Sequence, residues 1–112
     1  MPHFAAIGFD HPPHAMALRD KWRPEHRRYV LANDANILMT GAMTDGKGNQ
    51  CGTIYVFRAD SAEEVWAWLR AEPFHAGGVY ASMRVVDWTP ALNRFGPIDW
   101  PPQAVKAAME GG

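Results

Sequence analysis

Three observations in this 112-residue sequence predict an α+β fold. Segments at His3–Phe9, Ile37–Met43, Gly52–Arg58 and Val79–Trp88 carry the apolar, β-branched and aromatic content of strands. Two stretches between them, Pro13 to about Ala35 and Ser61 to about Ala71, carry helical signals. A run of turn chemistry, Thr44-Asp45-Gly46-Lys47-Gly48-Asn49, joins the second and third strands as a hairpin. The order β-α-β-β-α-β is that of a ferredoxin-like fold, a four-stranded antiparallel sheet with its helices on one face.

The first strand stops at Asp10-His11-Pro12-Pro13, because Pro donates nothing to a ladder. The first helix can open near Pro13, since Pro is tolerated in a first turn. Pro24 lies inside this helix, removes one i to i−4 bond and crowds the preceding turn. A kink or restart is therefore expected there, with free carbonyls near Asp20 and His26 on a new first turn. Asp60 or Ser61 can cap the second helix, and Glu63 and Glu64 favour its positive end. Pro73 ends it. Trp66 and Trp68 cannot share a helix face, so one is expected in the core and the other at an interface or against the tail. The final segment, Asn93 to Gly112, is Pro-containing and could form a short helix over Gln103–Met109.

Composition bounds the function. A chain of this length fits one domain. The net charge is −1, from 11 basic and 12 acidic residues, which argues against a nucleic-acid or membrane-surface partner. The single cysteine, Cys51, allows no internal disulfide and is compatible with a reducing cytoplasm. No signal-peptide pattern opens the sequence and no apolar run approaches the ~18 residues of a membrane span. A cytoplasmic protein is expected. Strands this apolar leave one sheet face uncovered by two helices, so a homodimer is expected to cover it.

The candidate chemistry centres on Arg19-x-x-x-Arg23-Pro24-x-His26. On a helix Arg19 and Arg23 share a face, and Arg23 and His26 are neighbours. An imidazole beside two fixed cations suits anion binding and proton transfer. The competing reading pairs the arginines with Asp10, Asp20 or Glu25 and gives the His a packing role. His11-x-x-His14 lacks a third ligand nearby, so no metal is expected. Gly46 and Gly48 lack the Lys-Ser/Thr and helix of a phosphate loop. Cys51 reads as a packed strand residue and Ser61 as a cap.

Further segments complete a pattern: Gly41, Gly52-Thr53, and Glu72-Pro73-Phe74-His75-Ala76-Gly77-Gly78-Val79-Tyr80. With Arg19, Arg23, Pro24 and His26, their order resembles that of the YCII-related family of small bacterial proteins. The resemblance spans about residues 3 to 92 and departs in two places. Glu72 stands where the family carries Asp, and Gly41-Ala42 where it carries Gly-Pro. It divides the chain into a YCII-like domain at 1–92 and a C-terminal extension at 93–112, and implies a dimeric α/β barrel. It implies that His26 and Glu72 are catalytic and that Arg19, Arg23, Asp10 and Phe74 bind substrate. Asp10 could instead merely end its strand, and Glu72 merely stop a helix.

The implied function is cofactor-independent elimination or isomerisation of an anionic or phenolic small molecule, dehydrochlorination included. His26 would be the acid/base, with Glu72 supporting its imidazole. The alternative is a non-catalytic ligand-binding or accessory homodimer. A cofactor-free oxygenase on the same layout lacks any diagnostic residue.

Overall fold

The computed structural model describes residues 2–92. The tail from Asn93, with its expected short helix, lies outside the described residues. Four strands, β1 (His3–Asp10), β2 (Ile37–Thr44), β3 (Gln50–Arg58) and β4 (Tyr80–Asp87), form one antiparallel sheet in the order β2-β3-β1-β4. Helices α1 (Met16–Ala32) and α2 (Ala62–Ala71) complete the ferredoxin-like α+β fold. A short helix, α3 (Pro73–Ala76), follows α2 directly. It is absent from the sequence-based expectation, in which Pro73 only ends α2. Pro73 does both, because its fixed φ suits a first helical position as well as a stop.

Local chemistry explains the hairpin and the start of α2. Asp45 Oδ1 accepts from Lys47 N at 2.7 Å and Asn49 N at 3.2 Å. Gly46 and Gly48 take the left-handed φ values of 77° and 91° that close this turn. The Ser61 hydroxyl accepts from Glu64 N, as an N-cap should.

Of the kink or restart expected at Pro24, the restart does not occur. α1 runs through it, and His26 sits in mid-helix rather than on a new first turn. An interior Pro costs on the order of 3 kcal/mol. Tertiary anchors on both sides hold the helix together. Arg19 is tied to Asp10 and Thr53 before the Pro, and His26 and Val30 are buried after it. Further along, the Tyr29 hydroxyl donates to Trp68 O at 2.7 Å, and Trp68 Nε1 donates to Asn33 O at 2.8 Å. These bonds lock the end of α1 onto α2.

Strand alternation sets the two sheet faces. Phe4, Ala6, Tyr55 and Phe57 pack with Ala59, Val65 and Leu69 of the α2 region in the main core. Both tryptophans pack against this cluster, Trp68 edge-on to Tyr55 and Phe57, so Trp66 is not left for an interface alone. Full burial of each large side chain is worth roughly 1.5–3 kcal/mol. A second cluster, Ala15, Phe74 and Val79, joins α1 to α3. Gly77 is needed there because a Cβ would meet the Trp22 ring at 2.5 Å. On the opposite face Ala5, Ile7 and Phe9 pair with Val56, Ile54 and Gly52. Phe9 is 54% and Ile54 40% exposed.

Candidate active site

The buried stripe of α1 is polar, which is unusual for a helix lying on a sheet. It consists of Arg19, His26 and Val30. Seven residues are nearly two turns of a helix, so Arg19 and His26 point the same way, into the protein. The polar groups among them must then be satisfied internally.

Arg19 is satisfied by a dense set of partners. Its Nε donates to Asp10 Oδ2 at 2.7 Å and its Nη2 to Asp10 Oδ1 at 2.9 Å, a bidentate pair with both side chains buried. Nη2 also donates to Thr53 Oγ1 at 3.0 Å. Cζ lies 5.1 Å from the Phe74 ring centroid and 5.9 Å from that of Tyr80. Burial acts to lower the guanidinium pKa, but the Asp10 hydrogen bond and attraction outweigh it and the pKa is raised. Arg19 is a permanent buried cation.

His26 is held as firmly. Its Nδ1 contacts Glu72 Oε1, and its ring stacks on Phe74 with centroids 3.8 Å apart and planes 7° from parallel. Glu72 is fully buried. It caps α3, accepting from Phe74 N at 3.0 Å and His75 N at 3.2 Å. A carboxylate that already accepts two N–H bonds accepts a third from Nδ1–H. The opposite ring nitrogen, Nε2, is left for the cleft.

That cleft, about 560 Å³, opens between α1 and the β2–β3 hairpin. Arg19, Arg23, His26 and Arg27 line it from α1, Thr40, Gly41, Gln50 and Thr53 from the hairpin, and Phe74 from α3. Such a volume suits a small molecule. Asp10 and Glu72 do not line it. Asp10, expected to bind substrate, stands behind Arg19 with its side chain fully buried. Glu72, expected to be catalytic, stands behind His26. Both have positions that orient a cleft residue rather than touch a ligand. Phe74 reaches the cleft but is only 3% exposed, a platform for the imidazole more than a binding surface.

The expected clamp of Arg19 and Arg23 is largely spent on the protein itself. Arg23 pairs with Asp20 and donates to Gln50 Oε1 at 3.2 Å. The pairings with Asp10 and Asp20 are those of the competing sequence reading. Gln50, Thr53, Tyr80 and Arg27 are the neighbours that the sequence leaves out. Thr53 enters the sequence pattern only as the opening of a strand, and Tyr80 only as its aromatic end. The Tyr80 hydroxyl donates to Thr53 Oγ1 at 2.8 Å, extending the network beneath Arg19. Among the described residues no three His, Cys, Asp or Glu gather as a metal site would require. No helix among them is long and apolar enough to cross a membrane.

Burial, joined by the Glu72 charge, pushes the Tyr80 pKa up to about 12. The buried Tyr55 hydroxyl is driven well above its usual value, first by burial and then by Tyr80 and Glu72. A Tyr in the unfolded chain ionises near 10. Between those values the unfolded chain holds fewer protons than the folded one. The Tyr80 contribution is therefore complete below about pH 10 and is lost as pH rises towards about 12, on the order of 2–3 kcal/mol. Denaturant midpoints across this alkaline range are expected to fall less steeply in Tyr80→Phe than in the parent. Equal slopes would remove Tyr80 from the alkaline transition.

The fold has a solved counterpart. The chain is similar to 5-chloro-2-hydroxyhydroquinone dehydrochlorinase (TftG) from Burkholderia phenoliruptrix AC1100, solved in complex with 2,5-dihydroxybenzoquinone. The match has 24% identity and a TM-score of 0.70, and covers 80% of this chain and 95% of the other. At that identity the likeness speaks for the fold. Protein Atu4242 from Agrobacterium tumefaciens matches over 87% of this chain and 98% of its own, at 12% identity and a TM-score of 0.44. A search of curated proteins finds no match. The family model described as the YCII-related domain matches residues 3–89, nearly the whole described chain. The chain belongs to the YCII-related family.

Proposed function

We propose that this protein catalyses a cofactor-independent elimination or isomerisation on an anionic or phenolic small molecule, with His26 as the acid/base. One observation carries the reading. His26 lines a cleft of about 560 Å³ with Nδ1 held by the fully buried Glu72, which leaves Nε2 for a ligand. A positioned imidazole contributes ~10²–10⁴-fold by proton transfer. In an elimination Nε2 takes a proton, and the electron pair left behind expels the leaving group. Glu72 holds the tautomer and steadies the imidazolium that forms. The fold likeness to a hydroxyhydroquinone dehydrochlorinase supports this reaction class.

The test is turnover of chlorinated hydroxyhydroquinones, followed as chloride release, alongside binding of 2,5-dihydroxybenzoquinone. Chloride release that depends on His26 is the expected result. Binding of the quinone with no turnover of any such compound would assign the protein to the ligand-binding class instead.

The working form in this proposal is a homodimer joined through the open sheet face. Phe9 and Ile54 are large exposed apolar groups on its two inner strands, with the half-buried Ile7 paired to Ile54 beside them. Burying such a patch removes apolar area from water at ~25 cal/mol per Å². Light scattering at micromolar concentration is expected to give the dimer mass for the parent and the monomer mass for Ile54→Glu. A monomeric parent would rule this assembly out.

A further inference from the structure

Arg19, Arg23 and Arg27 follow one another at i, i+4 and i+8 on α1. Each step of four residues turns about 40° past a full revolution, so the three fan from the protein interior towards the cleft mouth. Their surroundings change in step. Arg19 is 2% exposed and its guanidinium is shared between Asp10 and Thr53. Arg23 is partly exposed and held by Asp20 and Gln50. Arg27 lines the same cleft at intermediate exposure. Among the described residues it makes no ion pair and no side-chain hydrogen bond. Glu25, two residues before it, pairs through Oε1 with Arg28 at 3.4 Å, while its Oε2 is buried without a hydrogen-bond partner and makes no ion pair with Arg27.

We infer that Arg27 is the residue that selects ligands by charge, pairing with an oxyanion of the molecule that lies against His26. The inference rests on the proposed function and adds to it the group that reads the charge. Arg19 already spends donors on the buried Asp10 carboxylate, and Arg23 on the exposed Asp20 carboxylate and the Gln50 amide, so an incoming oxyanion would have to compete with a protein acceptor at either. Arg27 offers a planar fork of donors that no acceptor among the described residues occupies. It follows His26 directly in the chain, so the two side chains leave the helix about 100° apart. A ligand in the cleft can thus meet the imidazole and the guanidinium from two directions. A phenolate, enolate or carboxylate next to the reacting carbon fits that arrangement.

The experiment compares two probes of similar size, one anionic and one neutral, on the full chain. 2,5-Dihydroxybenzoquinone is a vinylogous acid and anionic at neutral pH. Hydroquinone, a simple phenol, is neutral there. A hydrogen bond between charged partners is worth about 1.5–3 kcal/mol, so Arg27→Gln is expected to weaken binding of the anionic quinone roughly 10- to 100-fold. Arg27→Lys, which keeps the charge without the fork, is expected to lose less. Hydroquinone binding should be the same in all three proteins. Quinone binding by Arg27→Gln at parent strength would overturn the inference alone and leave the proposed function standing. So would a loss shared equally by hydroquinone, since the effect would then be one of shape. A parent chain that binds neither probe would overturn the inference together with the function it rests on.

Discussion

Replacing His26 with Asn is expected to lower turnover by ~10²–10⁴-fold while the protein stays folded. Asn is the informative choice because its amide nitrogen can take the place of Nδ1 and keep a donor on Glu72. The carboxylate then remains paired, and only the cleft-facing nitrogen is lost. Ala is a poorer probe. It removes a ring stacked on Phe74 and leaves a fully buried carboxylate with one partner fewer. Loss of such a partner costs several kcal/mol, so His26→Ala is expected to lose stability as well as activity. The sequence places His26 on a new first turn of helix, and the structure corrects that to a buried mid-helix position.

The measurement is chloride release or product formation per folded enzyme, with denaturation curves for both variants. Turnover by His26→Asn within a few-fold of the parent would take the imidazole out of the mechanism. Glu72→Gln separates positioning from chemistry. A Gln offers one acceptor oxygen where α3 and His26 need two, and its amide donates to Nδ1 rather than accepting from it. The ring is then expected to carry its proton on Nε2, which ¹⁵N chemical shifts of the labelled imidazole read directly. With the proton on Nε2, the nitrogen that faces the cleft has no lone pair to accept a proton from a ligand, so activity should fall with the tautomer change.

Arg19→Met is expected to destabilise the protein by about 3–5 kcal/mol, the largest stability effect of any single change in the cleft. The reason is what it leaves behind. Asp10 would keep a fully buried carboxylate whose only remaining donor among the described residues is the Ala15 N–H at 3.4 Å. Thr53 would lose one partner, and the guanidinium contacts with Phe74 and Tyr80 would go. Such a loss is a large fraction of the ~5–15 kcal/mol that holds an ordinary domain folded. Urea or guanidinium unfolding measures it. The double variant Asp10→Leu with Arg19→Met is expected to recover part of the loss, because it removes both charges together. A single variant as stable as the parent would mean that the pair is replaceable by water. Arg19 would then be available to a ligand after all.

Where structure is decided by neighbours in the chain, the sequence was sufficient. Asp45, Gly46 and Gly48 close the hairpin through their own backbone and a nearby carboxylate. Ser61 caps the helix three residues ahead of it. Apolar and aromatic runs marked the strands that carry Phe4, Ala6, Tyr55 and Phe57, and the sheet then set them on one side. With the strands and helices in order, the ferredoxin-like layout followed, since few topologies suit that order. The approach of Glu72 to His26 was also legible, through the paired motifs that carry the family resemblance.

What the sequence left open depends on partners far along the chain. Helix periodicity puts Arg19, Arg23 and His26 on one face, but it is equally consistent with a solvated face, a clamp or a buried network. The choice fell to Asp10, Thr53 and Gln50, brought there by strands β1 and β3. Pro24 was a local signal that tertiary anchors overrode, because contacts on both sides of it outweigh one missing hydrogen bond. α3 exists because Glu72 turns its carboxylate onto the two N–H groups that follow, and Pro73 fits the first turn. The residue types of the site belong to the sequence. Which charge is spent inside the protein and which is left for a ligand belongs to the fold, because pairing energies in a buried site depend on distances that no local pattern contains.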